Sequence, residues 1–163
     1  MTDETALIRG IEYPTPFDEL TVQLAANAVR HTYIMSPRLD FRVFDNQDLV
    51  AALAALVKRS RRTQVRILIA DPRPLVSRGH RLLGLARRLP SSIQMRTLAE
   101  HPQWAGETVV LRDRDGVLFK PADADHEAFY HAASPGLVRQ YLEQFTELWN
   151  CSSDNIELRS LRV

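Results

Sequence analysis

Cationic side chains and an imidazole crowd one short stretch, Arg73-Pro74-Leu75-Val76-Ser77-Arg78-Gly79-His80-Arg81. Arg73, Arg78, His80 and Arg81 suit a phosphate or carboxylate, because guanidinium forks pair their N–H groups with the oxygens of such anions. The stretch directly follows a β-prone apolar run, Val65 to Ala70. In open α/β sheets ligands gather beyond the carboxyl ends of strands, where helix-start amides add further donors. Arg38 and Arg42, after a second such run at Thr32 to Met35, would share that rim. These six residues form a candidate anion site. The competing interpretation is a solvated helix start.

Other groupings carry less chemistry. His126-Glu127-Ala128-Phe129-Tyr130-His131 places its histidines five apart. A helical zinc motif needs them four apart; a fifth step turns the second ring by roughly 140°. With Asp123 and Asp125 it offers at most an adventitious metal site, so no metal or other cofactor is expected. Gly79 and Gly84 are not followed by Gly-Lys-Ser/Thr, so they make no phosphate loop. Ser36, Ser77, His80 and Asp71 lack the nucleophile elbow that would make a triad of them. Cys151, at a helix end, lacks the helix-start setting that activates a thiol. His101, in Glu100-His101-Pro102-Gln103-Trp104, reads as a loop histidine with no lysine at useful spacing, and Trp104 as a packing or interface residue.

The whole chain is 163 residues with 45% apolar and 25% charged residues, enough for one domain with a substantial core. The longest apolar run, Leu49 to Val57, is far below the ~20 residues of a membrane span. The opening Met1-Thr2-Asp3-Glu4-Thr5 is acidic rather than leader-like, and one cysteine cannot form an internal bridge. A cytoplasmic location is therefore expected. The net charge of +1 hides an asymmetry: residues 58–96 hold eleven Lys/Arg against a single acid, Asp71. That block could attract an anion, nucleic acid or a partner, or be balanced by the acidic ends within the fold.

Positioning these groups falls to an alternating series of elements. Residues 1–16 read as an irregular N-terminal segment and residues 17–163 as one domain. Thr15-Pro16 with Asp18 starts a helix running to about Arg30, and Thr32–Met35 follows as a strand. Asp45 and Asp48 precede a helix through Leu49, Leu53, Leu56 and Val57 to Lys58-Arg59. Val65–Ala70 is the clearest central strand, stopped at Asp71-Pro72. A single third helix spans Val76 to about Arg88, and Ile93–Arg96 is a strand. Arg112-Asp113-Arg114-Asp115-Gly116 joins Thr108–Leu111 to Val117–Phe119 as a hairpin. Ser134-Pro135 caps a last helix carrying Leu137, Val138, Tyr141, Leu142, Phe145, Leu148 and Trp149. Ile156, Leu158, Leu161 and Val163 suggest a terminal strand. The expected fold is α/β, a mixed sheet flanked by helices.

Two stretches, Ala28 to Asp40 and Leu49 to Asp71, resemble the opening helix–strand units of the phospholipase D superfamily. The likeness spans residues 17–150 as one half of that fold. It implies a histidine that attacks phosphorus, a lysine two residues on, and an aspartate five after the lysine. With Asp113 as that aspartate, Gly106 takes the histidine place and Thr108 the lysine place. With Asp115 the places fall to Thr108 and Val110, and neither register supplies a nucleophile. The polar Gly-Ser and Asn pattern implied downstream is replaced by Gly116-Val117-Leu118-Phe119.

The resemblance therefore implies a half-domain with a degenerate motif. Active members join two halves at a seam, so a homodimer is expected. Similar bacterial domains sit beside acyltransferase domains, which implies a possible acyltransferase or other protein partner. The leading expectation is a non-catalytic, homodimeric module that binds a protein or anionic ligand. The alternatives are a phosphodiesterase- or nuclease-like enzyme using His80 or His101, a nucleic-acid-binding protein, and a receiver-like domain with an all-parallel sheet.

Overall fold

The structure, a computed structural model, describes residues 6–159. Seven strands form one sheet. In chain order the elements are β1 (Ile8–Ile11), α1 (Phe17–Ala26), β2 (His31–Met35), α2 (Phe41–Phe44), α3 (Gln47–Arg59), β3 (Gln64–Ile69), α4 (Arg73–Arg78) and α5 (Arg81–Arg88). There follow β4 (Ile93–Thr97), β5 (Thr108–Arg112), β6 (Gly116–Lys120), β7 (Ala128–His131), α6 (Pro135–Cys151) and α7 (Ile156–Arg159). The sheet order is β1-β7-β6-β5-β2-β3-β4. β2, β3 and β4 run parallel, and every other pairing is antiparallel. The mixed sheet flanked by helices is the fold class expected. The antiparallel β5–β6 hairpin excludes a receiver-like, all-parallel sheet.

Two apolar layers follow from the period-2 alternation of the strands. Ile34, Ile67, Val110 and Leu118 face α1, α3 and α5 in one cluster. Met35, Leu68, Val109, Leu111 and Val117 face Val138, Phe145, Leu148 and Trp149 in the other. α3 begins where the Asn46 side chain accepts from the Asp48 and Leu49 N–H groups. Ser134 Oγ likewise accepts from Leu137 N to start α6. Gly116 sits where a methyl group would lie 2.9 Å from Leu24 Cδ2, so α1 closes tightly on the hairpin. Among the described residues, no helix is long and apolar enough to cross a membrane.

Four expectations need correction. Residues 8–11, expected irregular, form β1 by pairing with β7, itself unanticipated in the His126–His131 stretch. The first helix ends at Ala26 rather than Arg30, because the Val29, Arg30 and His31 N–H groups bond to Asp113. The single third helix is two: Gly79 adopts φ 78° and His80 restarts the helix as N-cap. Finally, Ile156–Arg159 is helical, not a strand. Asn155 Oδ1 accepts from Glu157 N, and Arg87 donates to the Glu157 and Leu158 carbonyls. Leu161 and Val163 lie outside the described residues.

Candidate functional site

β2, β3 and β4 end along one edge of the sheet, where β5 begins. Ala70 N and Asp71 N both donate to Pro37 O at 2.9 Å, and Leu98 N donates to Ile69 O at 2.9 Å. These bonds hold the loops after the three strands around a cleft of about 660 Å³ lined by Pro37, Ala70, His101, Pro102, Trp104 and Gly106. His101 Nδ1 accepts from Gln103 N at 3.1 Å, which leaves Nε2 to carry the proton. Trp104 is buried, and its indole N–H donates to Glu107 O at 3.0 Å. Burial raises the Glu107 carboxyl pKa. The cleft walls are thus mainly apolar, with one half-exposed imidazole and one exposed carboxylate, Glu100.

The histidine place of the motif falls in this cleft, and its backbone suits glycine. Gly106 has φ 104°, a region that L side chains rarely adopt. Thr108, at the lysine place, is buried and lies opposite Lys120 across β5 and β6. The chain has two lysines, and Lys120 is the one at this edge. Its ammonium is already engaged. It pairs with Asp125 at 3.4 Å, donates to the Pro121 and Ala122 carbonyls at 3.0 and 3.4 Å, and lies 4.8 Å from the Tyr13 ring centre. Asp113 stands at the far edge of the sheet in the hairpin turn. Its carboxylate accepts from Val29 N, Arg30 N and His31 N at 3.0, 2.8 and 2.9 Å. The three motif places therefore bring no imidazole and ammonium together.

The six candidate anion ligands surround the outer rim of the same edge, most of them committed. Arg42 pairs with Asp40 at 2.8 Å, Arg73 with Asp71 at 2.9 Å, and Arg81 with Asp45 at 3.2 Å. The hydrogen bond from Arg73 holds the Asp71 carboxyl pKa at about 2. Arg78 lies 4.0 Å from the Phe41 ring centre. Arg38 is exposed and forms no ion pair among the described residues. Tyr13, which the sequence did not flag, donates its hydroxyl to Asp40 at 2.7 Å. Burial, then the bond to Asp40, pushes its phenol far up. Burial also tends to raise Asp40, but bonds from Arg42 and Tyr13 outweigh it and hold that carboxyl below its usual range. His126 is an exposed loop residue and His131 ends a strand, so they share no helix face. Among the described residues no three potential metal ligands converge.

His80 is structural in this arrangement. It is buried, its Nε2–H donates to Leu39 O at 3.1 Å, and its Nδ1 accepts from Leu82 N at 3.0 Å. The bond accepted at Nδ1 needs the neutral ring, and burial lowers the His80 pKa against the opposing pull of Asp45 and the Leu39 carbonyl. The folded state therefore binds this proton less readily than the unfolded chain. Its stabilisation is complete above the ordinary histidine pKa of ~6.5 and is lost as pH falls below that value. We expect urea midpoints to decline from pH 7 toward pH 5, and His80→Asn, which keeps a cap acceptor, to flatten that decline. His31, whose pKa burial also lowers, will retain part of the slope.

The opposite face of the sheet has a different character. Among the described residues α6 and the loop carrying Trp104 cover it, leaving Tyr33, Phe119, Phe129, Leu137, Tyr141 and Leu142 half-buried. Phe119 stacks on Phe129 at 5.0 Å and meets Tyr141 at 5.2 Å. Along α6 runs a groove of about 710 Å³ lined by Pro135, Val138, Arg139, Leu142, Thr146 and Arg114, among others.

A family model described as a domain of unknown function, DUF7931, matches residues 13–161. No curated protein matches the chain. Among solved structures, the fold is similar to Nuc, a phospholipase D family member from Salmonella typhimurium. The TM-score is 0.66 at 22% identity, over 95% of this chain and 99% of that one. NucT from Helicobacter pylori gives 0.64 at 11% identity, over 92% and 98% of the two chains. TrmBL2, an archaeal chromatin protein described as having a novel mode of DNA binding, gives 0.65 at 16% identity. That match covers 92% of this chain and 53% of TrmBL2, so the chain spans about half that protein's length. These likenesses show a phospholipase D-like fold.

Proposed function

Since the chain belongs to the DUF7931 family and folds as one phospholipase D-like half, we propose that it is a non-catalytic module working as a symmetric homodimer. One observation carries the loss of chemistry. Glycine in a left-handed conformation stands at the histidine place, and the lysine across the strand pair is spent on Asp125 and two carbonyls. Transfer of a phosphoryl group needs an attacking group and cations on the phosphate oxygens, and the cleft walls supply Glu100 and His101 but no lysine or arginine.

The α6 face favours a second copy of the chain. An apolar face flanked by charged residues that a single helix covers incompletely gains from burial against its own equivalent, as a two-fold interface requires. A half of this fold has its seam to fill, and the match spans nearly all of the similarly sized Nuc chain. No surface among the described residues singles out an acyltransferase. An anion at the rim would meet Arg38 first, and would compete with Asp40, Asp71 and Asp45 for Arg42, Arg73 and Arg81. With one cysteine, Cys151, exposed and unpaired, the reducing cytoplasm is the compartment we favour.

Light scattering after size exclusion should give twice the chain mass at micromolar concentration. Leu142→Arg, and independently the more exposed Arg139→Glu, should shift it toward one chain without loss of helical circular dichroism. A single-chain mass for the unaltered protein would reject the dimer. The cleft provides a second check. Turnover of an aryl phosphodiester that persists through purification and vanishes in His101→Ala would replace the non-catalytic reading with a phosphodiesterase.

A further inference from the structure

The basic central block of the sequence divides in the fold. At the cleft rim Arg73 and Arg81 pair with carboxylates and Arg78 packs on the Phe41 ring, whereas the members at the opposite edge of the sheet have no such partners. That opposite edge collects the starts of β2 and β3, the end of α3 and the hairpin turn after β5. Gln64 N donates to Arg30 O at 2.9 Å, Arg59 Nη1 to Ala28 O at 3.2 Å, and Asp113 bonds the start of β2. These contacts set Arg30, Lys58, Arg59, Arg61, Arg62 and Arg114 on contiguous loops and turns, all six exposed. None makes an ion pair with a described carboxylate.

Helix ends explain only part of this pattern. Lys58 and Arg59 complement the C-terminus of α3, but Arg30, Arg61, Arg62 and Arg114 lie in connecting segments. The C-termini of α1 and α3 each bring about half a negative charge, well short of six cations. The nearby acids are also occupied, Asp113 by three backbone N–H groups and Asp115 by Arg112 at 3.1 Å. Arg114 follows β5, Arg30 precedes β2, and Arg61 and Arg62 precede β3, so the row spans two strand spacings, ~10 Å. A duplex strand presents a phosphate about every 3.4 Å of helix axis, which puts about three phosphates along that row.

We propose that this edge, remote from the degenerate cleft, is a sequence-independent docking surface for the phosphate backbone of duplex nucleic acid. The aromatic pair at this edge, His31 stacked on Tyr33 at 5.7 Å, is half-buried, whereas the six cations are exposed, so contact is to phosphates rather than to bases. This goes beyond the homodimer proposal and rests on the five cations outside the α6 groove, since Arg114 also lines that groove.

Fluorescence anisotropy with a labelled duplex of mixed sequence tests the proposal. Binding at ~50 mM salt should weaken with a log–log slope of roughly −3 per bound chain. Arg61→Glu/Arg62→Glu should weaken binding at least tenfold at low salt and flatten the slope. Arg30→Glu/Lys58→Glu, outside the α6 groove and with Arg30 on a separate segment, should do the same and guards against a local folding defect in the first pair. Arg38→Glu/Arg73→Glu, at the cleft rim, should change little. Absence of duplex binding at ~50 mM salt, indifference to both edge pairs, or loss confined to the rim pair would overturn the proposal. So would capture by anionic phosphatidylserine vesicles without duplex binding. Duplex binding by a protein of single-chain mass would sustain this surface while rejecting the dimer.

Discussion

Asp113→Ala is expected to lower unfolding free energy by about 3 kcal/mol, while Asp113→Asn loses only about 1. The carboxylate accepts three consecutive backbone N–H groups, those of Val29, Arg30 and His31, from 82 to 84 residues away. It therefore closes the α1–β2 connection much as a cap closes a helix start, and cap losses run to ~2 kcal/mol. Asp113 also has φ 51°, which aspartate and asparagine tolerate better than alanine. Alanine removes the acceptor and adds strain; asparagine keeps an acceptor and the conformational tolerance. Urea denaturation measures the totals, and hydrogen exchange at Val29–His31 localises them. If Asp113→Ala unfolds at the same urea concentration as the unaltered protein, the aspartate is not the tie described here.

That role separates what the sequence made legible from what it did not. Asp113 was readable as a turn aspartate because Asp-Gly chemistry is local. Its attachment to Arg30 depends on β2 lying beside β5, a long-range pairing with no local signature. β3 was legible because a buried parallel strand is a short apolar run, and Val65, Ile67, Leu68 and Ile69 supply one interrupted by Arg66. β1 was not: Ile8-Arg9-Gly10-Ile11 contains a charge and a glycine and becomes a strand only against the edge of β7. The break between α4 and α5 was hidden for another reason. Apolar residues keep helical spacing across Gly79, and only the positive φ there reveals the restart at His80.

The candidate site follows the same division. The absence of histidine and lysine at positions 106 and 108 is a matter of spelling and could be read directly. The unsuitability of position 106 for a histidine backbone, and the capture of Lys120 beside Thr108, needed torsion angles and strand register. The arginines illustrate the limit of composition. Arg73 and Arg61 belong to one basic block, yet Asp71 lies two residues from Arg73 and pairs with it, while Arg61 has no such neighbour. Charge counting identified the block; local pairing decides which of its members face an external anion.

Trp149→Ala should be the more damaging change, at about 4 kcal/mol, since removing a large buried aromatic side chain costs ~3–5. Trp149 is 3% exposed and stacks on Phe145 at 5.6 Å. Arg66 and Arg96 lie 5.3 and 4.8 Å from its ring centre, and Arg66 Nε has no hydrogen-bond partner among the described residues. The indole thus covers two arginines on the sheet face while anchoring the last turns of α6. Alanine would open a cavity and leave the Arg66 guanidinium without its aromatic cover, adding to the loss. Trp149→Phe retains a ring and should cost about half as much. Because α6 also forms the proposed seam, the alanine variant should dissociate at concentrations where the phenylalanine variant stays paired. Denaturation followed at 222 nm gives the stability, and light scattering gives the mass. A Trp149→Ala protein as stable as its parent would show that α6 is held by its other contacts, and the coupling between core and seam would then be discarded.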